Sequence, residues 1–184
     1  MKVYWVRHGM KRLSPLIALL VILVFIKNNI GQAAYIPSKS MMPTLEIHDV
    51  LIIDKTIPPS DLKRGDIVVF RNPFKNKRKK FLIKRLIGLP GDRIEIRQGK
   101  LYRNGHKVKE EYIKEPMKYR MKAFVVPKGK YFFLGDNRNV SYDAHVWQNK
   151  YVNEEAIIGK AVYRIFPFSR MEDMRLDEIG IDGK

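Results

Sequence analysis

The sequence predicts a mainly β protein, an antiparallel β-barrel or sandwich, preceded by one N-terminal transmembrane helix. An apolar run close to the N-terminus predicts the helix. Beyond it, short apolar runs recur between Gly and Pro turns, a pattern typical of antiparallel barrels and sandwiches. The Asn104-Gly105 dipeptide between two such runs is a strong signal for a two-residue hairpin turn.

The predicted anchor covers residues 13–30 and follows a basic segment, residues 1–12. Its apolar core, residues 13–26, is short beside the roughly 20 residues that a helix needs to span a bilayer. Four basic residues precede the core, and one follows it closely: Lys2, Arg7, Lys11 and Arg12, then Lys27. The positive-inside rule therefore predicts a cytoplasmic N-terminus and a single pass through the cell membrane, with the remaining chain on the outer, periplasmic or extracellular side. A cleavable signal peptide is the alternative, because Gly31-Gln32-Ala33 offers small residues before a cut at Ala34.

Residues 31–170 are predicted to form the β-rich domain, and residues 171–184 a polar, mobile surface tail. Residues 30–36 are mild enough in hydropathy to lie in the headgroup zone of the membrane. Predicted strands cover residues 49–54, 66–70, 81–89, 93–97, 101–103, 130–134 and 161–166. Residues 154–158 are a short helix or the start of the last strand.

Composition excludes several chemistries. The 184 residues contain no cysteine, so disulfides, thiol catalysis and cysteine metal sites are ruled out, and no metal or cofactor is expected. A formal net charge of +17 predicts an anionic partner, and membrane lipids and nucleic acid both fit. The basic run at residues 75–80 lacks interleaved aromatic residues, so nucleic acid is the weaker candidate.

Ser40 and Lys84 are the candidate nucleophile and base. A serine hydroxyl attacks only when a base takes its proton, and a neutral lysine can serve as that base. Lysine titrates near 10.4 in water, so it needs an apolar or cationic setting to be neutral at pH 7. On a strand, Leu82, Lys84 and Leu86 share one face, which gives Lys84 apolar neighbours.

Both residues also have ordinary structural explanations, and two histidines compete for the role of base. Lys84 alone could be a lysine at a strand edge that extends to water, and Ser40 a turn residue. His145, with Asp143 two residues earlier, is the rival base of a conventional triad. His48 is too close to Ser40 in sequence to fold back onto it easily.

Four ordered segments make the chain resemble the type I signal peptidases, membrane-bound Ser/Lys proteases that remove signal peptides from exported proteins. These segments are residues 38–45 (SKSMMPTL), 64–70 (RGDIVVF), 84–92 (KRLIGLPGD) and 135–143, which begins GDNR and contains Ser141 and Asp143. Any one of them is weak, but their order along a single chain is specific.

The resemblance implies a role for each matched residue. Ser40 occupies the nucleophile position and Lys84 that of the general base. The Ser38 hydroxyl and the Ser40 backbone N–H would form the oxyanion hole, and Ser141 would orient the lysine amine. Three residues match the framework of the site: Asp136, Arg138 and Asp143. Two residues match the strand lining the substrate cleft, where substrate would bind as an added β-strand: Ile36 and Pro37.

The chain also departs from the family pattern. Ala144-His145 stands where the family usually has Ser-Arg, and that arginine normally pairs with the preceding aspartate. A histidine at this position would make the pair with Asp143 sensitive to pH. The interval between Asp92 and Gly135 is short, so the large extra β-domain of some members is reduced or missing.

The predicted function is removal of N-terminal signal peptides from precursor proteins, with anionic membrane lipids as further partners. A dedicated processing peptidase of a conjugation or secretion system is a close alternative. A basic, membrane-anchored binding module without enzymatic activity is the alternative from another class. A self-cleaving repressor shares the Ser/Lys chemistry, but no DNA-binding helical domain precedes Ser40.

Overall fold

A computed structural model describes residues 15–20, 31–74 and 80–175 of the chain. Within these residues, twelve strands form two antiparallel sheets, so the mainly β, antiparallel prediction is confirmed. The strands are β1 Gly31–Tyr35, β2 Val50–Asp54, β3 Ile67–Arg71, β4 Phe81–Gly88, β5 Arg93–Arg97, β6 Lys100–Arg103, β7 His106–Lys107, β8 Met121–Val125, β9 Lys130–Leu134, β10 Val152–Asn153, β11 Ile157–Phe166 and β12 Glu172–Asp173.

The larger sheet has the strand order β1-β2-β11-β3-β4-β9-β10, with β12 paired to β11. The smaller sheet has the order β7-β6-β5-β8. Its β6–β7 hairpin turns at Asn104 and Gly105, whose φ angles of 54° and 85° are those that a two-residue hairpin turn requires. The predicted Asn-Gly hairpin is therefore confirmed.

Strand β3 shows how the larger sheet buries side chains on both faces. Val68 and Phe70 belong to a core cluster that also contains residues of the smaller sheet. Ile67 and Val69 point to the opposite face and belong to a second cluster. This alternation is the period of two expected of a strand, and it places a core on each side of β3.

The second cluster fixes the loop that carries Ser40. Ile36, Met41 and Leu45 flank this serine and are buried in the cluster with residues of β2 and β3. Burying side chains of this size stabilises a loop by about 1.5–3 kcal/mol each. The apolar residues of the SKSMMPTL segment therefore anchor the loop, while Ser40 stays half-buried.

Residues 31–35 form a strand that the sequence pattern did not predict. Gly31–Tyr35 is strand β1, paired along its length with β2. Residues 15–20 are helical, and four of their apolar side chains are exposed: Leu16, Ile17, Leu19 and Leu20. No helix within the described residues is long and apolar enough to cross a membrane. Most of the predicted anchor and the greater part of the basic run at 75–80 lie outside these residues.

The packed region also extends beyond the predicted boundary at residue 170. Glu172–Asp173 pairs with β11, and Met174 is buried in the second core cluster. Residues 171–175 are therefore part of the β domain rather than the start of a surface tail. Residues 176–184 lie outside the described part of the chain.

Candidate active site

Ser40 and Lys84 meet in the folded chain although 44 residues separate them. Ser40 lies in a short 3-10 turn, Lys39–Met41. Lys84 lies in β4, opposite Val68 of β3, and only 3% of its surface is exposed. Lys84 Nζ donates to Ser40 Oγ at 2.7 Å. The buried lysine therefore lies within proton-transfer distance of the serine hydroxyl.

Ser38 and Asn137 complete the immediate surroundings of Ser40. Ser38 Oγ is 3.4 Å from Ser40 Oγ. The Asn137 backbone N–H donates to the Ser40 carbonyl at 3.1 Å, and its side-chain amide donates to the Lys39 carbonyl at 3.0 Å. Asn137 thus fixes two consecutive carbonyls of the turn. Asn137 lies inside the GDNR segment, but its sequence context predicts no role for it.

Gly135 allows the closest approach in the site. A Cβ at this position would lie 2.4 Å from the Ser40 carbonyl oxygen and 2.2 Å from Ser141 Oγ. Ser141 is buried, and its hydroxyl makes no hydrogen bond within the described residues. The hydrogen bond expected between Ser141 and the Lys84 amine is therefore not formed in this structure. Ser141 instead packs against the backbone of Gly135.

Arg85 and Asp136 form a fully buried ion pair beside Lys84. Arg85 donates from Nε and Nη2 to the two carboxylate oxygens, at 2.8 Å and 2.5 Å. Thr44, from the loop that carries Ser40, donates to Asp136 at 2.6 Å. Burial disfavours the charged guanidinium, but Asp136 outweighs that effect and raises the pKa of Arg85. The pair ties β4 to the Ser40 loop.

Arg138 is held by residues that the sequence analysis did not identify. It is fully buried and forms a two-pronged ion pair with Glu110, at 2.9 Å and 2.5 Å. Its Nε donates to the Gly135 carbonyl at 3.1 Å, and Nη2 donates to the Tyr112 hydroxyl at 3.3 Å. Arg138 therefore links Glu110 to the Gly135 carbonyl of the turn from inside the protein.

Asp143 is paired with His145 in spite of the missing arginine. His145 Nδ1 lies 2.7 Å from Asp143 Oδ1, and the His145 ring stacks on Tyr119 at 4.0 Å. The other Asp143 oxygen accepts the Gly135 N–H at 2.7 Å. His145 is thus engaged with Asp143, while the Ser40 hydroxyl contacts Lys84. This geometry favours lysine over histidine as the base.

Ile36 and Pro37 lead directly into the site. Ile36 is buried, its N–H donates to the Asp49 carbonyl, and its carbonyl accepts the His48 N–H, both at 2.9 Å. Pro37 is exposed beside Ser38. The main chain of Ile36 is thus already paired in this structure. Among the described residues, no group of His, Asp and Glu side chains could hold a metal ion.

Comparisons with known proteins identify the family of this chain. The family model for signal peptidases, peptidase S26, matches residues 10–166. A probable signal peptidase I-2 of Synechocystis is 42% identical over 171 residues, covering 91% of this chain and 76% of that protein. Signal peptidase I of Leptolyngbya laminosa is 41% identical over 166 residues, covering 84% and 78%. A solved signal peptidase I of Enterococcus faecalis V583 is 31% identical, with a TM-score of 0.47, over 54% of this chain and 95% of that one. This chain belongs to the signal peptidase family, peptidase S26.

Proposed function

We propose that this chain removes N-terminal signal peptides from exported precursors with Ser40 as nucleophile and Lys84 as general base. Membership of the family makes it a serine endopeptidase that acts on precursors bearing signal peptides. The observation that carries the residue assignment is the 2.7 Å contact between Lys84 Nζ and Ser40 Oγ. Burial of the amine supports it as well, because desolvation favours the neutral lysine that a base requires.

The reaction is an acyl transfer in two stages. Ser40 Oγ attacks the scissile carbonyl carbon while its proton passes to neutral Lys84. The resulting ammonium then gives that proton to the leaving amine as the peptide bond breaks, which leaves an ester on Ser40. Lys84, neutral again, takes a proton from water, and the hydroxide attacks the ester. The same proton returns to Ser40 Oγ as the ester breaks and the free signal peptide departs, the mature protein having left as the amine in the first stage.

Negative charge develops on the carbonyl oxygen in both stages, and we assign its stabilisation to Ser38 and the Ser40 backbone N–H. The 3.4 Å between Ser38 Oγ and Ser40 Oγ places the Ser38 hydroxyl beside the attacking atom. A donor aimed at this oxygen contributes about 2.7–4 kcal/mol to the transition state. Ser141, buried against Gly135, is proposed to orient the Lys84 amine through a side-chain rotation.

The substrate is proposed to enter as an extended strand beside β1 and the first half of β4. Strand β1 is at the edge of the larger sheet. Strand β9 pairs with the second half of β4, from Arg85 to Gly88, while Phe81–Lys84 pairs with β3. Main-chain groups on these edges can pair with a peptide. Because the Ile36 main chain is bonded to residues 48 and 49 and its side chain is buried in the second core cluster, the exposed Pro37 is proposed to line the cleft, with Ile36 supporting it from the core.

Residues 13–30 are proposed to anchor the enzyme in the cell membrane by a single pass, with residues 1–12 in the cytoplasm and the β domain, residues 31–175, on the outer side. The exposed apolar side chains of the helical segment 15–20 support a lipid-facing surface. The net charge of +17 supports a further attraction to anionic lipids, worth about 1 kcal/mol per basic residue close to the surface.

The test is cleavage of a purified precursor by the full chain in detergent or vesicles. Ser40→Ala and Lys84→Ala should each lower kcat at least about 10³-fold while the protein stays folded. Ser60→Ala, at an exposed serine whose hydroxyl donates to Asp61, is the matched control and should cleave normally. Full activity of the Lys84 variant would refute the proposed base, and full activity of the Ser40 variant the proposed nucleophile.

A further inference from the structure

Glu110 and Tyr112 belong to the segment between β7 and β8 of the smaller sheet, yet their side chains reach the active site. The Arg85 guanidinium carbon lies 4.0 Å from the centre of the Tyr112 ring. The Arg138 guanidinium carbon lies 5.7 Å from the same centre. Both distances are within the range of a cation–π contact. One aromatic ring therefore contacts two buried cations that flank the catalytic residues.

Glu110 fixes the ring and one of these cations together. Its carboxylate binds Arg138 in two-pronged fashion, and it accepts a hydrogen bond from the Tyr112 hydroxyl at 2.6 Å. Only 4% of the Glu110 side chain is exposed. Burial raises the pKa of Tyr112 well above its usual range, so the phenol keeps its proton and remains the donor.

The two cations hold two consecutive residues at the start of the turn that supports Ser40. Arg138 donates to the Gly135 carbonyl, and Arg85 binds Asp136. The next residue, Asn137, donates its backbone N–H to the Ser40 carbonyl. Displacement of either guanidinium would therefore move the backbone donor that holds Ser40. Arg85 also follows Lys84 directly in β4, so its position affects the general base as well.

We propose that Tyr112 and Glu110 are positioning residues of this peptidase, which set the geometry of Ser40 and Lys84 through Arg85 and Arg138. The inference rests on the proposed function, because it assumes the Ser40 and Lys84 roles. Under this proposal, the segment between β7 and β8 of the smaller sheet contributes to catalysis as well as to the fold. Neither residue contacts the reacting atoms, so their effect is on the rate of the chemical step.

Two substitutions of Tyr112 distinguish the contribution of its aromatic ring to kcat from that of its hydroxyl. Tyr112→Leu removes the ring and both cation–π contacts, whereas Tyr112→Phe keeps the ring and loses only the hydroxyl. Tyr102→Leu is the matched control, because Arg97 of β5 lies 4.0 Å from the ring centre of Tyr102 in the neighbouring strand β6. All three variants and wild type are compared for kcat and KM on one precursor, with circular dichroism as the measure of folding.

The Leu variant should lose about 10- to 100-fold in kcat, the effect of a misplacement approaching 1 Å, with KM within about twofold of wild type. Tyr112→Phe should stay within about threefold of wild type, and Tyr102→Leu should be unchanged. Wild-type kcat in Tyr112→Leu overturns the proposal, as does a loss confined to KM. An equal loss in the Phe and Leu variants overturns the role of the aromatic face.

Glu110→Gln keeps the proposal testable if Tyr112→Leu does not fold. This change preserves the size of the side chain but removes the charge opposite Arg138, and kcat should fall about tenfold. A wild-type kcat in this variant overturns the positioning role. Ser40→Ala is assayed alongside: an inactive Ser40 variant beside active wild type leaves the proposed function intact whatever Tyr112 does, whereas an active Ser40 variant overturns that function.

Discussion

Gly135→Ala is the substitution for which the structure gives the sharpest expectation. The added Cβ would lie 2.4 Å from the Ser40 carbonyl oxygen, where ordinary contact begins at 3.4 Å. The carbonyl must therefore retreat by about 1.0 Å, because it belongs to the backbone and has no rotamer to change. Ser141 Oγ, at 2.2 Å, has that freedom and can rotate away.

A retreat of this size moves the nucleophile itself. The Ser40 carbonyl is held by the Asn137 N–H at 3.1 Å, so the shift also strains the bond that fixes the turn. A misplacement of about 1 Å in a catalytic group can cost about 10²-fold in rate. Overpacking of this kind lowers stability by about 1–3 kcal/mol. We therefore expect a folded but weakened protein whose kcat falls about 100-fold.

Gly88→Ala is the matched control. Its Cβ would meet Ile94 and Val126 at 3.1 Å, which are side-chain contacts that can yield by a few tenths of an ångström. Precursor cleavage and urea unfolding of both variants separate the two effects: Gly88→Ala should lose some stability and keep wild-type kcat. A Gly135→Ala enzyme with wild-type kcat would refute the argument that the turn fixes Ser40.

Local pattern was sufficient for much of the fold. The runs that became β2, β3, β4, β5 and β9 are apolar or alternating segments bounded by turn residues, and such segments are the ones that a sheet buries. Strand β1 was missed because Gly31-Gln32-Ala33-Ala34 has low β-propensity and forms a strand through its pairing with β2. Strict alternation would put Ile87 on the face opposite Leu86, but both side chains join the same core because the pairing of β4 with β9 shifts register there.

The candidate site also combines residues that local sequence predicts with residues that only long-range contacts bring in. Chemistry and the four ordered segments predicted Ser40 and Lys84 as nucleophile and base, and the structure brings the two side chains into contact. The supports of the site were not predictable, because they depend on contacts between distant segments. Glu110 meets Arg138 across 28 residues, and Thr44 meets Asp136 across 92. A surface glutamate and a buried counter-ion look alike in sequence; only the fold of the smaller sheet brings Glu110 inside.

Two further predictions concern residues that hold the site and the scaffold. Asn137→Ala removes the side-chain bond to the turn but keeps the backbone donor to Ser40, so kcat should fall about tenfold in the precursor assay with little change in KM. An unchanged kcat would show that the backbone bond is sufficient. Asp92→Asn tests the link between β4 and the smaller sheet by its pH dependence. Burial disfavours the Asp92 carboxylate, but hydrogen bonds from Arg64 and Asn104 outweigh it and hold the pKa below its usual range. A depressed pKa stabilises the fold at any pH above the unfolded value, about 3.9, and this stability is lost as pH falls through the folded pKa. The variant should therefore be about 1.5–3 kcal/mol less stable than wild type between pH 5 and 8 in urea unfolding, as expected for bonds to a charged group. The gap should narrow below about pH 4, where the wild-type carboxylate begins to take up a proton in the unfolded state. A gap that stays constant down to pH 3 would contradict the assignment, because only a charge on Asp92 makes the difference depend on pH.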